Sequence, residues 1–246
     1  MKVVAMIPAR YDSSRFPGKL LKPLAGKPII YRTYQAVQHM NLFDKIYVVT
    51  DSSEIQKYLE EVDVPILRSR ETHECGSDRL AEFAHQIDAD IIINVQGDEP
   101  FTNKADIRRL IELFKKDTDK HIDLASLMMP LSVMSSIKNP NNVKVVVNKQ
   151  SQAIYFSRHP IPYLRDQSTS VDYFKHVGIY AFRKQALIDF YYSPKGKLEK
   201  AEAIECIRHI ENGKTIQMLE TDQPGIGIDT PEDLTEAEKL WHKKRE

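Results

Sequence analysis

Hydrophobic residues in this chain fall alternately into short unbroken runs and into helical spacings. Val3 to Ile7 is an apolar run of the kind a buried strand makes, and it stops at Pro8. Pro28 then suits the first turn of a helix whose Ile29, Ile30, Tyr34, Val37 and Met40 share one face. Residues 45–51 read as a second strand, with Ser52 as the cap of a helix carrying Ile55, Tyr58 and Leu59. A short third strand follows over 64–67. Gly76 and Ser77 open a helix with Leu80, Phe83, Ala84 and Ile87 on one side, and residues 90–96, continuous through Ile91, Ile92 and Ile93, read as a central strand covered on both faces. This alternation predicts a parallel α/β sheet with right-handed crossovers.

After residue 103 a helix bearing Ile107, Leu110, Ile111 and Phe114 leads to a strand over 122–127, and then the pattern changes. Residues 140–147 and 153–156 are β-rich with no helix between them, and 160–170 is an excursion marked by Pro and Ser. We read residues from about 130 to 196 as a mixed-sheet subdomain inserted in one domain spanning 1–246. A helix from Leu198 to about Glu211 stops at Asn212-Gly213, and a strand follows over 215–219. Thr230, Pro231 and Asp233 then start the last helix as hydroxyl cap, first-position proline and the acid of a capping box. The expected fold is α/β, with a mixed, mostly parallel central sheet flanked by helices.

Charge narrows the picture. The 246 residues carry 35 basic and 35 acidic side chains, so no global field draws the chain to nucleic acid or to an anionic membrane, and anion binding must be local. Cys75 and Cys206 are too few for a disulfide framework and lack metal-ligand spacing, which points to a reducing compartment. The first apolar run breaks too early for a secretory leader, and no later run approaches a membrane span, so a cytoplasmic protein is expected.

Local charge is concentrated where the first strand ends. Arg10, Arg15 and Lys19 fall within ten residues, on a loop kept irregular by Ser13, Ser14, Pro17 and Gly18. Basic residues in a surface loop are commonly just solvated. This loop, however, leaves the carboxyl end of a strand, where open α/β sheets bind ligands, and so suits a phosphate clamp. Asp98 and Asp229 each close an apolar β-type run, each with a proline within two residues. They read either as turn residues or as a pair meeting at Mg²⁺, which takes one or two protein carboxylates and completes its shell with water and phosphate oxygens. Other chemistries fail on spacing. Leu20 stands where an ATPase-type loop needs Ser or Thr after Gly18-Lys19; G-x-G-x-x-G, zinc spacing and G-x-S-x-G are all missing.

The ordered set Ile7-Pro-Ala-Arg-Tyr11, Ser14-Arg15-Phe-Pro-Gly-Lys19, Gly76-Ser-Asp-Arg79, Asn94-Val-Gln-Gly-Asp-Glu-Pro100, Tyr155-Phe-Ser-Arg158, Pro160-Ile-Pro162, Lys175-His-Val-Gly-Ile-Tyr180 and Gly227-Ile-Asp-Thr-Pro-Glu-Asp233 resembles the 3-deoxy-manno-octulosonate (Kdo) cytidylyltransferases, or CMP-Kdo synthetases, over essentially the whole chain. The resemblance implies a nucleotide-diphospho-sugar transferase fold, CTP and Kdo as substrates, Mg²⁺, a homodimer joined through the inserted subdomain, and a cytoplasmic role in lipopolysaccharide synthesis. Carried over by position, Ala9, Arg10, Ser77 and Gln96 face cytidine, and Arg10 and Lys19 face the triphosphate. Asp98 and Asp229 are the implied magnesium ligands. Arg158, His176, Tyr180 and Glu205 are implied to face the sugar acid, although Tyr180 also reads as core and His176 as a structural histidine. Two departures stand out: Cys75-Gly76-Ser77 replaces a usual Ser-Gly-Thr, and Ile204-Glu205-Cys206-Ile207-Arg208 replaces Leu-Glu-Gln-Leu-Arg. Losing that amide implies looser sugar recognition. Two rival readings stay open at this point, a cytidylyltransferase for 8-amino-Kdo or a nonulosonic acid and a non-catalytic regulatory nucleotide-binding protein.

Overall fold

The unbroken apolar runs become the buried strands. The computed structural model describes every residue except Ser14, Gln167, Pro224 and residues 244–246; Ser14 of the basic loop and Gln167 of the Pro- and Ser-marked excursion therefore lie outside the described residues. The chain divides into two units, Met1–Ala105 with Gly225–Glu246, and Asp106–Pro224.

In the first unit, β1 (Val3–Ala9) is followed by a hairpin of β2 (Pro23–Leu24) and β3 (Lys27–Pro28), then α1 (Ile29–His39), β4 (Lys45–Thr50), α2 (Ser53–Glu61), β5 (Ile66–Arg68), α3 (Gly76–Ala81) and β6 (Ile91–Asn94). A C-terminal helix over Pro231–Lys243 returns to this unit. β1 lies between β4 and β6, with β5 outside β4, all parallel. Every residue of β1 and β6 is buried, which is why both lack polar alternation. Each fully buried Val or Ile contributes about 1.5–3 kcal/mol relative to exposure.

Three local expectations meet the structure differently. β1 does not stop at Pro8 but runs through it to Ala9. Lys2 O and Met6 O accept from Ile91 N and Val95 N, whereas Val3 O accepts from Asp44 N, so the backbone of Pro8 is turned to the β6 side; its missing N–H falls where that pairing has already ended at Met6, and the β4 register continues to Ala9. Ser52 caps α2 as expected, its Oγ accepting from Ile55 N at 3.2 Å. The helix opening at Gly76 ends already at Ala81, although Leu80, Phe83, Ala84 and Ile87 are all buried as their spacing requires.

The second unit contains α4 (Lys104–Lys116, starting just before the boundary), β7 (Leu124–Leu131), α5 (Met134–Lys138), β8 (Lys144–Val147), β9 (Ala153–Ser157), β10 (Tyr173–Arg183), α6 (Lys184–Tyr192), α7 (Lys197–Glu202), α8 (Ile207–Glu211) and β11 (Ile216–Glu220). Its sheet is mixed. β11 runs parallel to β7, whereas β10 is antiparallel to β7 and β8, and β9 is antiparallel to β8. The register of β10 against β7 shifts between Val177 and Tyr180, a bulge inside the stretch expected to meet the sugar.

The single helix expected from Leu198 to about Glu211 is instead two short ones. Ala203 takes a left-handed conformation at φ 51°, ending α7, and α8 starts only at Ile207. The fold-back is held by long-range bonds that periodicity does not show. Glu211 accepts from Leu198 N at 3.1 Å and Glu199 N at 3.2 Å, and Arg208 grips Glu199 with two bonds of 2.7 Å. The molecule is therefore a mixed α/β protein whose sheets are flanked by helices.

Candidate functional site

The basic loop is organised around one buried ammonium group. Gly18, at φ 64° with a Tyr11 ring atom 3.3 Å from where a Cβ would lie, turns the chain into a short 3₁₀ segment over Lys19–Leu21. That turn directs Lys19 inward, leaving it 9% exposed. Its Nζ donates to Asp98 Oδ2 and, at 2.7 Å, to Asp229 Oδ1; Arg15 Nη2 lies 2.9 Å from Asp229 Oδ2. Asp98 follows β6 through Gly97, where a Cβ would meet Pro8 O at 2.8 Å, so a larger residue would push the Asp98 turn off β1.

Asp229 arrives by another route. Residues 225–229 form no strand, contrary to the apolar run that suggested one. Ile228 N instead donates to Asp98 O at 3.0 Å, setting the two carboxylates side by side. The expected capping box then starts the C-terminal helix: Asp233 N donates to Thr230 Oγ1 at 3.2 Å, and Thr230 N donates to Asp233 Oδ2 at 2.8 Å. Burial alone would lower the pKa of Lys19, but the Asp98 charge and the bonds to both carboxylates outweigh it and hold it above the ordinary value. For Asp229, burial pushes upward and Lys19, with Arg15, pulls further downward, leaving the carboxyl below its usual range. Lys19 and Asp229 are therefore both charged at neutral pH.

Beside them opens a polar cavity of about 290 Å³, whose wall includes Ala9, Arg10, Lys19, Gln96, Asp98 and Asp229. Ser77 is buried and does not line that wall, whereas its neighbour Gly76 does and sits close to Pro8 and Gln96. Arg79, absent from the expected site, is on it. This residue is 3% exposed and forms an ion pair with Asp51 at 2.8 Å, without the alignment of a hydrogen bond. Its place in the Gly76-Ser-Asp-Arg79 motif was the available signal.

The four residues expected to face the sugar acid all belong to the second unit. His176 and Tyr180 lie on β10 with ring centroids 5.4 Å apart, and the Phe156 ring of β9 lies 4.9 Å from His176. Burial, with a smaller contribution from Lys175, pushes the His176 pKa down to about 4, so at neutral pH this side chain offers hydrogen bonds and no charge. Arg158 is anchored by backbone carbonyls: Nε donates to Glu202 O at 2.7 Å, Nη2 to Ala203 O at 3.1 Å and Nη1 to Pro140 O at 3.1 Å. Two of its five N–H groups remain for other partners. Glu205, half-buried, lies in the break between α7 and α8 rather than on a continuous helix.

Cys206 is 2% exposed and hydrogen-bonded to the Tyr180 side chain, and burial holds its thiol well above the ordinary value. The geometry expected of Glu205 and Cys206 on one regular helix is therefore replaced by a partly exposed acid and a buried thiol. Inserting an amide there overfills a closed space. We expect Cys206→Gln to destabilise the protein by about 1–3 kcal/mol, measured as a lowered urea midpoint, through overpacking and loss of the Tyr180 partner. An unchanged midpoint would mean that the longer side chain finds room.

Comparison with known proteins places this geometry. The family model described as Cytidylyltransferase matches residues 4–216. The 3-deoxy-manno-octulosonate cytidylyltransferases of Christiangramia forsetii and Flavobacterium johnsoniae are 55% and 51% identical over 239 and 240 residues, covering 97% and 98% of this chain and 96% and 98% of theirs. The chain belongs to the 3-deoxy-manno-octulosonate cytidylyltransferase family. Its fold superposes on the structure of a CMP:2-keto-3-deoxy-manno-octonic acid synthetase complexed with CTP at a TM-score of 0.92, with 37% identity over 99% of this chain and 100% of the other. A 4-diphosphocytidyl-2C-methyl-D-erythritol synthase from Anaerococcus prevotii shares the fold alone, at 15% identity and a TM-score of 0.63, with 98% of each chain covered. This member of the cytidylyltransferase family thus has the nucleotide-diphospho-sugar transferase architecture, and it is an enzyme of the nucleotidyltransferase class.

The donor set of this cytidylyltransferase also bears on magnesium. Two carboxylates converge on one cationic position, the Lys19 ammonium, so their oxygens can share a positive charge. Among the described residues no group of three or more His, Cys, Asp or Glu side chains gathers into an all-protein cage. Two convergent carboxylates are a donor set of the type Mg²⁺ takes, since it keeps most of its shell for water and substrate phosphates.

Proposed function

We propose that this chain catalyses attack of the anomeric hydroxyl of Kdo on the α-phosphorus of CTP, releasing pyrophosphate and forming CMP-Kdo for lipopolysaccharide synthesis. The observation that carries this reading is the convergence of Lys19 on Asp98 and Asp229 beside a polar cavity, in a chain that superposes at 0.92 on a CTP-complexed synthetase. Such a transfer needs in-line positioning and charge stabilisation more than covalent help.

Arg10 and Lys19 neutralise the triphosphate, with Arg10 able to grip two phosphate oxygens in parallel. Ala9 and Gln96 face cytidine from the cavity wall. Ser77 is buried next to Gly76 in the chain and serves the same nucleotide half. Asp98 and Asp229 would hold Mg²⁺ together with triphosphate oxygens. When bound, the ion supplies charge neutralisation on the phosphates and lowers the pKa of the attacking hydroxyl. Arg158, His176, Tyr180 and Glu205 hold the sugar acid, and the anchored guanidinium of Arg158 suits its carboxylate. The deciding experiment is pyrophosphate release from CTP with Kdo, 8-amino-Kdo, a nonulosonic acid or no sugar. Release with Kdo well above the other arms supports the assignment; equal release without sugar, or none at all, overturns it.

The same reading places the enzyme in the cytoplasm as a homodimer. Neither Cys75 nor Cys206 forms a disulfide among the described residues, and among those residues no helix is long and apolar enough to cross a membrane. On the second unit, Ile154 and Tyr163, the latter 84% exposed, offer apolar surface for a second copy. Sedimentation should give the dimer mass.

Arg10→Lys tests the clamp, because an ammonium cannot reproduce a two-bond grip on phosphate. We expect kcat/KM for CTP to fall about 100-fold, equivalent to about 2.7 kcal/mol, with the melting temperature nearly unchanged. Equal activity would make Arg10 a point charge facing solvent.

A further inference from the structure

His176 is held by a partner that decides which of its nitrogens can meet a ligand. Ser126, on β7 and fully buried, places its Oγ 2.9 Å from His176 Nε2, 2.7 Å from Ile179 O and 3.2 Å from Val177 O. A serine hydroxyl has one proton and two lone pairs. Both carbonyls can only accept, so the hydroxyl proton goes to them, and the shorter contact is to Ile179 O. The remaining Oγ–Nε2 contact then has one polarity: Nε2 carries the proton and donates it to Oγ.

The β10 bulge makes this arrangement possible. The register shift between Val177 and Tyr180 leaves the Val177 and Ile179 carbonyls within reach of a β7 side chain. The ring is otherwise walled by Phe156 and Tyr180, and apart from Lys175, which disfavours protonation, no charged side chain among the described residues acts on it. Nδ1 is left unprotonated and has no hydrogen-bond partner among the described residues.

We propose that Ser126 is a positioning residue that locks His176 as the neutral Nε2–H tautomer, so that Nδ1 accepts a hydrogen bond from a hydroxyl of the sugar acid rather than donating one to its carboxylate. This rests on the reading that Kdo is the substrate and meets His176. It divides recognition between two chemistries, with the anchored Arg158 left to the carboxylate and His176 selecting a hydroxyl donor.

The test uses the full-length enzyme labelled with ¹⁵N-histidine, with His176 assigned by loss of its signals in His176→Gln. We expect a proton-bearing Nε2 and a bare Nδ1 whose resonance moves when Kdo is added. Ser126→Ala should mix the tautomers and raise KM for Kdo about tenfold, the scale of one lost hydrogen bond, leaving KM for CTP unchanged. A proton on Nδ1, an Nδ1 signal indifferent to Kdo, or a Ser126→Ala enzyme with unchanged KM for Kdo would overturn the proposal. The first two readouts need no Ser126 variant and stand even if Ser126→Ala fails to fold. Failure of the substrate reading shows separately, as wild-type enzyme that releases no pyrophosphate from CTP and Kdo.

Discussion

Asp98→Asn is expected to leave the protein folded and to lower turnover by about 1,000-fold, equivalent to about 4 kcal/mol of barrier. The fold should survive because the Asp98 side chain lies at the rim of a polar cavity. Lys19 also keeps its second partner, Asp229, so the buried ammonium is never left alone. An asparagine oxygen can still accept from Nζ. What it cannot do is supply the negative charge that, on the proposed function, balances Mg²⁺ against the triphosphate. The measurement is kcat at saturating Mg²⁺ and CTP, together with a melting curve. Retention of more than about a tenth of wild-type turnover, a loss of only about 1.4 kcal/mol, would remove Asp98 from the metal site. A collapsed melting curve would instead make its bond to Lys19 structural.

The pair Asp98 and Asp229 also shows where sequence reading reaches its limit. The strand before Asp98 was legible because burial on both faces demands an unbroken apolar run, as in Ile91 to Ile93. The caps at Ser52 and Thr230 were legible because their chemistry is local. Nothing local announces that Asp229 lies beside Asp98. That proximity comes from one backbone bond, Ile228 N to Asp98 O, in a stretch with no strand of its own. Arg79 was marked only by its place in the Gly76-Ser-Asp-Arg79 motif, since its burial and its pairing with Asp51 depend on which elements meet. Periodicity also joined α7 and α8 into one helix, because Leu198 to Glu211 is compatible with helix throughout. Only the left-handed Ala203 and the fold-back bonds distinguish the two.

Those fold-back bonds carry the second large expectation, a loss of about 3–5 kcal/mol of stability in Glu199→Gln. Arg208 and Glu199 are 3% and 4% exposed, and their two 2.7 Å bonds are the two-pronged kind that orients as well as attracts. The guanidinium also lies 3.8 Å from the centroid of the Phe190 ring. Replacing Glu199 by its amide keeps the volume but removes the carboxylate charge that faces the buried Arg208 guanidinium through two bonds, and removing one partner of a buried pair is far costlier than removing both. Glu199→Leu combined with Arg208→Met should therefore be more stable than Glu199→Gln alone, and urea midpoints of the three proteins measure this directly. The functional consequence runs through the segment between the two helices, which carries Glu205 and the Cys206 that holds Tyr180. Below its unfolding transition, Glu199→Gln should raise KM for the sugar acid while leaving KM for CTP in place, because the residues proposed to face the nucleotide belong to the other unit. If Glu199→Gln costs less than about 1 kcal/mol, the range of an ordinary surface pair, Arg208 has found another acceptor and the fold-back does not depend on this ion pair.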